Sequence, residues 1–78
     1  MKNYSYLFAK FVNREIDIDD RYDPVAADIQ DIANENGLTV RFNKLGHAGG
    51  ATVMPPENEA QITLTQGADK KWRIFSAH

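Results

Sequence analysis

From Tyr4 to Val12 the apolar residues recur at helical spacing. Tyr4, Leu7, Phe8, Phe11 and Val12 fall at i, i+3, i+4, i+7 and i+8. At 100° per residue they form one stripe about 140° wide. Lys10, Asn13 and Arg14 point away from it, so the spacing predicts a helix over residues 3–14. The alternative is a strand, which the aromatic-rich composition favours. A strand would put Tyr4, Tyr6 and Phe8 on one face and Leu7, Ala9 and Phe11 on the other. Both faces would then need cover.

A second helix is predicted after residue 22. Asp23 suits the N-cap and Pro24 the first helical position. Val25, Ile29, Ile32 and Ala33 supply an apolar stripe, and Gly37 is placed to stop the helix. Between the two helices, residues 15–22 read as a connection. Ile16 and Ile18 anchor it to the core, with a short extended piece allowed.

Beyond Gly37 the period changes to two. Leu38, Val40 and Phe42 alternate with Thr39, Arg41 and Asn43, and Ala60, Ile62 and Leu64 alternate with Gln61, Thr63 and Thr65. Ala51 to Met54 is a further short run, ended by Pro55-Pro56 because proline cannot donate to a ladder. Gln66-Gly67-Ala68-Asp69 reads as a hairpin turn before Lys71 to Phe75, in which Trp72 and Ile74 face inward. The consistent architecture is one α+β domain over residues 1–78. Its two helices pack on one face of a three- to four-stranded antiparallel sheet. The opposite sheet face is polar and suits solvent.

Composition narrows the class. The chain has 78 residues, no cysteine and 42% hydrophobic content, which supports a packed core without disulfide or thiolate chemistry. Small secreted domains usually need such staples, so a cytoplasmic location is expected. No apolar run approaches the ~18 residues of a membrane span, and the N-terminal residues do not read as a signal peptide.

Charge changes the picture most. Eight of the 11 carboxylates lie between Glu15 and Glu35, with Arg21 the one base among them, a formal charge of −7. The remainder holds eight bases and three acids, a formal charge of +5, so the net −2 hides a strongly dipolar chain. Asp28, Asp31 and Glu35 are three and four residues apart and line one helix flank. Two of these acids sit in the second half of the helix, where negative charge opposes the macrodipole. Local helix stability therefore does not account for Glu35.

The expected role is binding of a protein with a basic surface. Asp17, Asp19, Asp20, Asp23, Asp28, Asp31 and Glu35 are the expected partner-binding residues, copying a line of phosphates so that a nucleic-acid groove accepts the domain. Tyr22 adds an aromatic group among them. Small phage or mobile-element proteins that block restriction or CRISPR machinery act in this manner. The likeness is one of size and charge, not of motif. One alternative is a sheet that binds single-stranded nucleic acid through Arg41, Lys44, Lys70, Lys71 and Arg73, interleaved with Phe42, Trp72 and Phe75. Another is an assembly subunit. Oligomeric state is left open.

Enzymatic and metal chemistry are not expected, and no cofactor is implied. Counted from Asp17 as a calcium loop, the fifth position is Arg21 and the sixth is Tyr22 instead of glycine. His47 and His78 are too few for a zinc site. Ser5 and Ser76 lack the surroundings of a nucleophile. Gly46-His47-Ala48-Gly49-Gly50 lacks the lysine and following helix of a phosphate loop and reads as a hairpin tip.

Overall fold

The computed structural model describes residues 3–46 and 56–78. They form α1 (Ser5–Phe8), a 3-10 turn (Ala9–Phe11), α2 (Pro24–Glu35), β1 (Thr39–Lys44), β2 (Glu59–Gln66) and β3 (Trp72–Ala77). The class is α+β.

The first segment is helical, but only briefly α-helical. Aromatic residues lose side-chain freedom in an α-helix, and after one turn the chain tightens to 3-10. A 3-10 turn repeats every three residues, which brings Phe8 and Phe11 to the same side, and both are buried. Val12 then turns extended, and Asn13 adopts a left-handed φ of 71°. Asparagine tolerates that conformation better than most residues.

α2 forms as the sequence predicts. The Asp23 side chain accepts the Ala26 backbone N–H at 2.9 Å, and Pro24 opens the helix. Val25, Ile29 and Ala33 are buried. At the far end Gly37 has φ 68°; the Leu38 N–H bonds the Ala33 carbonyl at 2.8 Å and the Gly37 N–H that of Asn34 at 3.2 Å. This is a Schellman ending, with Leu38 and Ala33 both in the core. A Cβ on Gly37 would meet nothing within 4 Å, so Gly37→Ala tests backbone conformation alone. It is expected to cost about 1 kcal/mol, lowering the thermal midpoint by about 4–8 °C. An unchanged melting curve would contradict the left-handed ending.

The antiparallel meander expected for the sheet is corrected by the structure. The strand order is β1-β2-β3, and the sheet is mixed. β1 and β2 run parallel, with Thr39 opposite Glu59 and Lys44 opposite Leu64; β2 and β3 run antiparallel. A parallel pair cannot be joined by a tight hairpin, so residues 45–58 carry the chain back to the start of β2. The part of the expected hairpin tip from His47 to Gly50, and the expected strand Ala51–Met54, lie outside the described residues.

The extended piece allowed in the connection is present. The Asn13 N–H bonds the Ile74 carbonyl at 2.8 Å, the Ile74 N–H bonds the Arg14 carbonyl at 3.0 Å, and the Ile16 N–H bonds the Trp72 carbonyl at 3.0 Å. Glu15 thus bridges Arg73 in antiparallel fashion, covering an edge that would otherwise be exposed.

One core joins Phe8, Phe11, Ile16, Val25, Ile29, Ala33 and Leu38 to Ala60, Ile62, Leu64, Ile74 and Ala77. Val40, Phe42 and Trp72 pack against it, half-buried. The register slips between Thr63 and Leu64, which leaves Phe75 without a cross-strand partner and 56% exposed. Bulges commonly re-aim a side chain in this way. Among the described residues no helix is long and apolar enough to cross a membrane.

Candidate acidic interface

No charged or polar side chain among the described residues is buried. Ionic chemistry therefore lies at the surface, where charges act through long-range fields and screened contacts.

The expected binding residues come from two adjoining stretches. Asp17, Asp19 and Asp20 stand on the connection, which folds into successive turns. Asp17 accepts the Asp19 N–H at 3.0 Å, and Asp20 accepts the Tyr22 N–H at 2.9 Å. These bonds use one oxygen of each carboxylate and leave the charge outward. The connection then enters α2, where Asp28, Asp31 and Glu35 lie on one exposed flank, away from the stripe of Val25, Ile29 and Ala33. Asp23 differs from the others: it is half-buried and caps the helix.

Among the described residues, Asp17, Asp19, Asp20, Asp23, Asp28, Asp31 and Glu35 have no ion-pair partner within 4.0 Å. Arg21 lies in their midst, but its Nη2 donates to the Tyr22 hydroxyl at 2.9 Å and its guanidinium lies over the Tyr22 ring, 4.9 Å from the centroid. Tyr22 is 76% exposed. The exposed ring stacked with a cation stands next to Asp20, which accepts the Tyr22 N–H.

Glu15 belongs to the acidic window by sequence but not by structure. Its Oε1 lies 3.3 Å from Arg73 Nη2 and 4.0 Å from Lys71 Nζ. Arg73 also pairs with Asp69 at 3.0 Å. The hydrogen bond from Arg73, followed by that from the Lys71 backbone N–H, holds the Asp69 carboxyl below its usual range, and Asp69 in turn raises Arg73. This network ties the connection to β3 and the turn before it. A sequence separation of 58 residues hid it from sequence reasoning.

Several residues of the nucleic-acid alternative are engaged within the fold. Phe42 and Trp72 pack against the core, Arg73 is engaged with two carboxylates, and Arg41 donates to Asn43. Lys44 Nζ lies 5.0 Å from the centroid of the Trp72 ring. Phe75 is the one member of the aromatic set that is largely exposed. Among the described residues no group of three or more histidine, cysteine, aspartate or glutamate side chains is arranged to hold a metal ion.

A cleft of about 480 Å³ opens beside the acidic connection, between Ile16-Asp17, the start of α2 and Lys70 to Trp72. Sequence reasoning missed it because its walls come from opposite ends of the chain. Comparison with protein-family models, curated proteins and solved structures gives no match.

Proposed function

We propose that this domain works by binding another protein, presenting its acidic surface to a basic, nucleic-acid-binding groove of that partner. Asp17, Asp19 and Asp20 provide the part on the connection, and Asp28, Asp31 and Glu35 the helical part. Asp23 contributes charge while holding the helix start. The domain would occupy the groove in place of nucleic acid and exclude it by like charge.

The observation that carries this reading is the lack of internal neutralisation. Six of these acids are exposed, and none has a lysine or arginine in ion-pair contact among the described residues. Of the nearby bases, Lys71 and Arg73 are occupied with Glu15 and Asp69, and Arg21 is stacked on Tyr22. Uncompensated like charge destabilises a compact state, so its retention is accounted for by a partner that supplies the opposite charge.

The test is affinity capture on the immobilised domain from a native lysate, with a salt step and, separately, with added duplex DNA. The expected result is a nucleic-acid-binding protein released by both. A partner that stays bound at high salt, or that binds undiminished in saturating DNA, would refute the reading.

A further inference from the structure

We propose that the cleft beside Asp17 is an anchor pocket for an arginine side chain of the partner. The inference rests on the proposed function and specifies where on this domain a basic partner is gripped. Ile16 and Val25 are buried, Trp72 is half-buried, and all three line the cleft. They offer apolar contact to the stem of a long side chain, and arginine covers apolar surface with its stem while its head remains polar. The volume of about 480 Å³ lies in the range of small-ligand sites.

The charge of the lining selects the head group. Glu15 and Lys71 both line the cleft and lie 4.0 Å apart, so they largely offset one another. That leaves Asp17 and Asp23 against Lys70. Each of the two aspartates gives one oxygen to a backbone N–H, at 3.0 and 2.9 Å, and neither has an ion-pair partner among the described residues. The start of α2 carries about half a positive charge, so together with Lys70 it leaves the two carboxylates an excess of about half a negative charge. Asp19 and Asp20, on the same connection, deepen the negative field. Lys44 stands over the Trp72 ring but does not line the cleft. An anion would have to enter this field and compete with Glu15 for Lys71. A planar guanidinium instead meets carboxylate acceptors that suit its forked donors, above an apolar floor of the kind found at interface anchors.

Trp72 is the chain's one tryptophan, so its emission reports on the cleft without a label. The probe is N-acetyl-arginine amide, compared with N-acetyl-lysine amide and inorganic phosphate. Arginine amide is expected to shift Trp72 emission saturably in the millimolar range, more tightly than lysine amide, with no response to phosphate. Asp17→Asn keeps an acceptor for the Asp19 N–H, and Asp23→Asn keeps a good N-cap; together they should weaken the arginine probe about tenfold. Phe75→Ala, exposed and outside the cleft lining, should leave it unchanged. The pocket is refuted if the arginine probe gives no saturable shift, if the Asn variants bind it as well as the parent, or if phosphate binds in preference. Failure of the probe, with capture of a DNA-displaceable partner intact, would overturn the pocket alone. Probe binding without such a partner would overturn the nucleic-acid-mimic reading alone.

Discussion

Phe8→Ala is expected to remove about 3–5 kcal/mol of stability and to lower the thermal midpoint by more than about 12 °C. Phe8 is fully buried and belongs to the one core shared by the helical segments and the sheet. Truncating a buried phenylalanine costs about 3–5 kcal/mol, transfer and cavity contributions together. A domain of this length has a total stability of about 4–12 kcal/mol at the usual value per residue. The loss therefore approaches the whole margin at the lower end and lowers the thermal midpoint by more than about 12 °C at any point in the range. Phe75→Ala is the matched control. The same atoms are removed, but Phe75 is largely exposed beside a bulge, and surface truncations cost within about 0.5 kcal/mol. Circular dichroism melts of both variants decide the matter. Equal losses would mean that the first helical segment does not pack as described.

Asp28→Lys/Asp31→Lys is expected to weaken partner binding by at least about tenfold at low salt, equivalent to about 1.4 kcal/mol. Both residues are exposed on α2 and make no ion pair among the described residues, so reversal turns attraction to a basic groove into repulsion. The effect should shrink as ionic strength rises, because the Debye length falls from ~10 Å at 0.1 M to ~3 Å at 1 M. The fold should persist, since neither side chain touches the core. Glu35→Lys sharpens the comparison. Glu35 is the last residue of α2, where a cation interacts favourably with the macrodipole by about 0.3–1 kcal/mol. Stability should rise while binding falls. Isothermal titration with the captured partner, beside thermal melts, reads both. Unchanged affinity in the double variant would end the proposal of an acidic interface.

α2 was legible because its signals are local: an aspartate cap, a proline at the first position, a stripe of spacing three and four, and a glycine four residues after the last buried position. The helical character of the first segment was also legible from Tyr4, Leu7 and Phe8, but the shift to 3-10 at Ala9 was not, since Phe8 and Phe11 satisfy either period. The parallel pairing of β1 and β2 was hidden for a different reason. Parallel sheets covered on both faces read as continuous apolar runs. Here Val40 and Phe42, like Ala60, Ile62 and Leu64, alternate with polar residues, so the pattern was indistinguishable from an antiparallel strand. The bulge at Phe75 left no mark in the alternation. At the candidate site, the acidic window could be counted from sequence. Which of its members are already engaged could not: Glu15 meets Arg73 only through the fold, and Asp17 and Trp72 come to line one cleft for the same reason.

The seam between Asn13–Ile16 and Trp72–Ile74 also bears on the order in which this protein can fold. Glu15 and Arg73, which face each other across it, are 58 residues apart in the chain. Pairing so distant in sequence is slow to form, and apolar surface exposed in the meantime invites aggregation. The acidic connection that follows Ile16 places like charge beside the waiting segment, and that repulsion opposes association between partly folded copies.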